Sequence, residues 1–154
     1  MADFKNKVVY QIYPKSFKDS NGDGIGDLRG VIDALDYLAD MGVDYLWLTP
    51  FFVSPQKDNG YDIADYLAID PHFGTMDDFD ALVKAADAKG LKIMLDMVLC
   101  HTSDQHAWFQ RALAGDADYQ RYYILRDGRN KKCADDPGEP PTNWQCAFGG
   151  SAWQ

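Results

Sequence analysis

Two short runs hold the residues with chemistry to offer: Asp58-Asn59-Gly60-Tyr61-Asp62 and Asp96-Met97-Val98-Leu99-Cys100-His101. Each is expected where an apolar strand ends. Carboxylates accept hydrogen bonds from hydroxyls, a tyrosine ring can cover the flat face of a sugar, and a histidine can donate and accept. The set suits the rim of a pocket for a hydroxyl-rich ring. Each run also has a plainer reading. Asp58 to Asp62 reads as an Asn-Gly turn flanked by surface carboxylates. His101 reads equally well as a structural hydrogen-bonder. Asp96, placed inside an apolar strand, needs a partner in either case, because an unpaired carboxylate there is costly.

A third run, Asp19-Ser20-Asn21-Gly22-Asp23-Gly24-Ile25-Gly26-Asp27, alternates oxygen-bearing side chains with glycines. Such a loop can wrap a hard cation. It starts like an EF-hand loop, but the twelfth position is Gly30 and no entering helix is expected. The reading is a lone structural Ca²⁺ (or Mg²⁺) site built from Asp19, Asn21, Asp23, the Ile25 carbonyl and Asp27. The alternative is an Asx-turn loop without an ion. The glycine spacing does not meet the dinucleotide-loop pattern.

These runs need elements to position them. Val8 to Tyr13 reads as a buried strand halted by Pro14. Leu28, Val31, Ile32, Leu35, Leu38 and Met41 recur at helical spacing, with Gly42 as the stop. Tyr45 to Leu48 is a second strand. A long loop follows, rich in turn residues. Thr75 reads as the N-cap of a helix carrying Phe79, Leu82, Val83 and Ala86 on one face and ending at Gly90. Leu91 to Leu99 is a third strand, apolar nearly throughout as in buried parallel sheets. Gln105 to Ala114 reads as a helix, and Arg126 to Pro141 as a solvated loop. Strands alternating with helices predict parallel βαβ units.

Two architectures fit, a small open sheet or the opening third of a (β/α)8 barrel, which takes roughly 250 residues. The chain has 154. Trp144, Phe148 and Trp153 crowd its last stretch and need a partner surface, so the chain reads as part of a larger barrel. A formal net charge of −9 argues against a nucleic-acid partner. Cys100, Cys133 and Cys146 form neither a disulfide framework nor a zinc set, and read as free thiols of a cytoplasmic protein. No apolar run approaches the length of a membrane span, and the start has no signal-peptide core. His72 and His106 carry no motif and read as surface or packing residues.

Val9-Tyr10-Gln11-Ile12-Tyr13-Pro14, the Asp19 to Asp27 loop, Trp47-Leu48-Thr49-Pro50, Asp58 to Asp62 and Asp96 to His101 occur in this order and at these spacings. Together they resemble the amino-terminal part of the α-amylase family of glycoside hydrolases, from about Lys7 to Trp153. Within it they are most similar to the oligo-1,6-glucosidase and trehalose-6-phosphate hydrolase group. Val53-Ser54-Pro55-Gln56 and the tail from Pro141 to Trp153 look most like the latter.

The resemblance implies an α/β fold: the first three βα units of a (β/α)8 TIM barrel in residues 1–104, and the start of a domain inserted after strand 3 in residues 105–154. It implies that Asp19, Asn21, Asp23, Ile25 and Asp27 form a structural Ca²⁺ (or Mg²⁺) loop, with no organic cofactor. It implies that Asp58, Tyr61 and His101 hold the glucosyl unit beside the scissile bond, and that Asp96 organises the site. One departure is Cys100, where the family usually has asparagine. A thiol does not replace an amide that both donates and accepts, so the surroundings of His101 are expected to differ.

The implied activity is that of a retaining α-glucosidase, splitting trehalose 6-phosphate into glucose and glucose 6-phosphate. Such enzymes use two carboxyl groups about 5 Å apart. Both are expected beyond Gln154, so no catalytic residue is assigned within the chain, which is expected to be inactive alone. The alternative substrate is an isomalto-oligosaccharide. A reading of another class is a non-catalytic binding or partner protein on the same scaffold.

Overall fold

The computed structural model describes residues 4–133, 136–147 and 149–153, so Phe148 lies outside the described residues. Three parallel strands form its main sheet: β1 (Val9–Ile12), β2 (Tyr45–Leu48) and β5 (Lys92–Leu95), in the order β1-β2-β5. Register aligns Ile12 with Leu48 and Leu48 with Leu95. Because side chains alternate along a strand, one face carries Tyr10, Ile12, Leu46, Leu48, Ile93 and Leu95. Ile12, Leu46 and Leu48 are fully buried in the hydrophobic core, and Tyr10, Ile93 and Leu95, partly buried, pack against it. The opposite face carries Val9, Gln11, Tyr45, Trp47, Lys92 and Met94, of which none is fully buried.

Parallel neighbours require crossovers, and helices supply them. Pro14 stops β1 and opens a one-turn helix, α1 (Pro14–Phe17), at the position where a missing N–H costs nothing. This short helix precedes the Asp19 to Asp27 loop, where none was expected. The helix expected from Leu28 to Met41 is divided into α2 (Leu28–Asp33) and α3 (Leu35–Asp40). At the division the Ala34 N–H bonds three residues back to Val31 O (3.1 Å), a tighter turn than the α-helical one. The apolar stripe continues through it, with Leu28, Val31, Leu35 and Leu38 fully buried. Gly30 lies so close to the Lys18 carbonyl that a Cβ would stand 1.9 Å from the oxygen.

Between β2 and the second crossover, the expected loop contains a two-stranded antiparallel piece, β3 (Phe52–Val53) and β4 (Asp65–Ile69). Helix α4 (Met76–Ala88) starts at Thr75, which forms a capping box with Asp78. Leu82 and Ala86 are fully buried, but Val83, expected on the same face, is 40% exposed. It follows Leu82 by about 100° around the helix. Strand β5 ends at Leu95, four residues earlier than the apolar run indicates.

The chain divides into two compact units, Met1–Gln110 and Arg111–Gln154, the boundary falling within α5 (Ala107–Leu113). The second unit holds α6 (Ala117–Gln120) and two isolated antiparallel bridges, Arg129 with Glu139 and Gln145 with Ser151. Trp144 and Trp153 stack with centroids 5.9 Å apart, and the Trp153 indole N–H donates to Thr142 Oγ1 (2.8 Å). No helix among the described residues is long and apolar enough to cross a membrane.

Asp78 makes acid stability testable. The Thr75 hydroxyl, which donates to its carboxylate, holds its pKa below the ordinary carboxylate value, with burial opposing and Arg29 assisting. A depressed carboxylate stabilises the fold above its unfolded pKa of about 3.9, and that contribution disappears as pH falls through the lower folded value. Urea unfolding midpoints should therefore drop below about pH 4, and Asp78→Asn should drop less over the same interval. Thr75→Ala should cost about 1 kcal/mol at neutral pH.

Candidate functional site

The candidate residues meet past the carboxyl ends of β2 and β5, within the first unit. Asn59 and Gly60 make the turn that presents them. Both have left-handed backbones, with φ of 51° and 98°, which asparagine tolerates and glycine adopts freely. A Cβ on Gly60 would also stand 2.9 Å from Pro50 O. The turn closes with the Tyr61 N–H donating to Asp58 O (3.1 Å). Asp62 fixes the loop from inside, accepting from Ser54 Oγ (2.8 Å), Lys57 N (2.8 Å) and Asp58 N (3.1 Å).

Tyr61 then reaches the segment after β5. Its hydroxyl donates to Asp96 Oδ2 (3.1 Å), and its carbonyl lies 2.8 Å from His101 Nε2. A carbonyl only accepts, so Nε2 carries the proton and Nδ1 of the neutral ring is an acceptor. Cys100 Sγ lies 3.2 Å from that Nδ1. Burial, and then the bond to Asp96, raise the Tyr61 pKa above its ordinary value, with the Asp58 charge adding to the effect. Asp58, Tyr61 and Asp96 are half-buried, and His101 is exposed.

Asp96 corrects one expectation. It lies just past β5 rather than inside it, half-buried rather than enclosed, with Tyr61 as its partner. Its peptide N–H still donates to Leu48 O (3.1 Å), so the backbone stays registered to β2 for one residue beyond the strand. Further ties join the two loops. The Tyr66 hydroxyl lies 2.6 Å from Val98 O and 2.7 Å from His101 O. Ser103 N donates to Ile63 O (2.9 Å), and Lys57 Nζ pairs with Asp104 at 2.5 Å. Asp62 and Tyr66 were given no role from sequence. Asp62 sat visibly in the run, but Tyr66 lies on a strand that the pattern did not show.

The Asp19 to Asp27 loop is held by its own peptide groups. Asp19 accepts from the N–H groups of Asn21, Gly22 and Gly24. The Gly24 and Gly22 bonds lower its pKa. Asn21 Oδ1 accepts from Asp23 N, and Asp23 Oδ1 from Ile25 N. Asp27 is buried and caps α2, accepting from Gly30 N (2.6 Å) with one oxygen and from Ser20 N and Oγ with the other. The donors are all hard oxygens, as Ca²⁺ or Mg²⁺ prefers. Among the described residues no three His, Cys, Asp or Glu side chains are gathered as a metal-binding group. A cavity of about 330 Å³ occurs in the second unit, lined in part by Arg129, Glu139 and Trp144, and no candidate sugar residue lines it.

Residues 11–154 match the α-amylase catalytic domain. The chain belongs to the α-amylase family. It is 59% identical to trehalose-6-phosphate hydrolase of Escherichia coli (strain K12) over 98% of its length and 26% of that protein. It is 52% identical to the oligo-1,6-glucosidase of Bacillus cereus, again over 98% of its length and 26% of the relative. The crystal structure of Bacillus licheniformis trehalose-6-phosphate hydrolase superposes with a TM-score of 0.88 at 49% identity, covering 98% of this chain and 26% of that one. The chain thus spans about a quarter of the length of the curated relatives it matches. These neighbours imply a TIM-barrel fold.

The Tyr61–Asp96 bond is open to measurement. The Tyr61 hydroxyl should ionise above about pH 10. Asp96→Asn should move it down only in part, since burial is the larger cause; tyrosine ring NMR across an alkaline titration reads both. A raised pKa means that this contribution to stability is present below about pH 10 and is lost as pH rises through the folded value.

Proposed function

We propose that the protein carrying this chain is a retaining α-glucosidase that hydrolyses trehalose 6-phosphate to glucose and glucose 6-phosphate. The observation that carries the reading is the hydrogen-bonded set of Asp96, Tyr61 and His101, with Asp58 in the same turn, past the ends of adjacent parallel strands. That is where a barrel presents its working residues. Asp58, Tyr61 and His101 would hold and orient the glucosyl unit, and Asp96 would fix Tyr61. Their contribution is positioning, which makes the reacting atoms neighbours before reaction. The 59% identity to a trehalose-6-phosphate hydrolase supports that substrate. The 52% identity to an oligo-1,6-glucosidase supports isomalto-oligosaccharides as the second reading. The nucleophile and the acid/base lie outside these 154 residues on this reading.

The three parallel strands are, on the same reading, the first three βα units of a (β/α)8 barrel, and residues 105–154 begin an inserted domain. The face bearing Val9, Tyr45, Trp47 and Met94 would then turn to the barrel interior. A structural Ca²⁺ (or Mg²⁺) would be held by Asp19, Asn21, Asp23, the Ile25 carbonyl and Asp27, where it would neutralise their charge. A carboxylate has about four acceptor positions, so the hydrogen bonds that Asp23 accepts from the Ile25 N–H and the Asn21 amide do not exhaust it. A cytoplasmic location agrees with three free cysteines.

Glucose release from trehalose 6-phosphate and from isomaltose tests the activity, using this chain and any longer product of its gene. The longer product should release glucose from one of them and the 154-residue chain from neither. In the longer product Asp58→Ala or His101→Ala should lower kcat/KM by about 10²-fold. Absence of glucose from both substrates would reject the reading. Added Ca²⁺ should raise the thermal midpoint of the wild-type chain and leave that of Asp23→Ala unchanged.

A further inference from the structure

Cys100 has a chemically specific neighbour in the next residue, His101. Tyr61 O fixes the His101 proton on Nε2 through a 2.8 Å contact, which leaves Nδ1 as an acceptor facing Cys100 Sγ at 3.2 Å. The thiol is exposed. A nucleophile within reach of a base, with the base oriented by a third group, is the arrangement that activates side-chain nucleophiles. Here the third group is a peptide carbonyl, itself set by the Asn59–Gly60 turn.

We propose that Cys100 and His101 form a reactive-thiol site for small soft electrophiles and hydroperoxides. As the sulfur attacks, its proton passes to His101 Nδ1. With iodoacetamide an S–C bond forms, the C–I bond breaks and iodide leaves; the proton passes from His101 to water. With hydrogen peroxide an S–O bond forms and the O–O bond breaks. The leaving hydroxide takes a proton and departs as water. The thiol is thereby oxidised to a sulfenic acid and the peroxide reduced. The proposal concerns the thiol alone and does not depend on whether the pocket takes sugar.

Cys133 supplies the internal control, because it too is exposed, so accessibility does not separate the pair. The experiment is limiting iodoacetamide at neutral pH on the native 154-residue chain, with alkylation of each cysteine followed by peptide mass spectrometry. Cys100 should react at least about 10-fold faster than Cys133, a modest share of what a positioned base contributes. The ratio should fall to near one in urea and in His101→Gln. Dimedone trapping after a peroxide pulse should mark Cys100 first. A native ratio near one would overturn the proposal without any variant. So would a high ratio that persists in urea or in folded His101→Gln, because the advantage would then not come from the base.

Discussion

Parallel pairing is the constraint on which the rest of the first unit depends. Two parallel strands cannot be joined by a tight turn, so each connection must cross the sheet and return. The returning segments α2, α3 and α4 supply the apolar cover for Leu46 and Leu48 on the central strand. The same requirement sends every strand in one direction, so the segments that leave β2 and β5 emerge side by side. That is how Tyr61 meets Asp96, 35 residues away, and His101, 40 residues away. The site is thus a by-product of covering one face of a sheet.

What holds the emergent segments is mostly backbone chemistry. Asp62 takes hydrogen bonds from two peptide N–H groups and a serine, and Tyr66 addresses two carbonyls. These contacts fix the path of the loops, whichever side chains stand at the exposed positions. Asp19 and Asp27 work in the same way, one closing a loop and the other capping a helix. Several carboxylates of this acidic chain are therefore structural acceptors rather than solvated charge, which is why so negative a sequence can still close into loops.

The sequence was most legible where one residue type has one conformational use. Thr75 announced a cap and made one, with Asp78 completing the box, and Asn59-Gly60 announced a turn whose backbone is left-handed. Central strand β2 coincides with the apolar run Tyr45 to Leu48. Legibility failed where tertiary contact decides. Periodicity runs unbroken through Ala34, yet the helix divides there, because a tightened turn preserves the apolar stripe that periodicity records. The apolar run Leu91 to Leu99 continues past the true end of β5, since Val98 is buried outside the main sheet, in a small cluster with Phe52 and Ile63. Asp96 was misplaced for that reason. The β3–β4 pair is too short, with a register shift, to leave an alternating pattern. The family, by contrast, was readable from five short runs in order, because their spacing is far more specific than any one of them.

Residue 61 serves the site twice, through two different parts of itself. Its ring oxygen bonds Asp96, and its peptide carbonyl orients His101. Only the first depends on being tyrosine. Sequence drift at this position can therefore retune the ring while the imidazole keeps its anchor. The anchor yields only to changes that bend the main chain, and those fall on the neighbouring Asn59 and Gly60. One position can thus vary in chemistry while its neighbours conserve shape, a division of labour that lets a scaffold diversify what it recognises without rebuilding how it presents it.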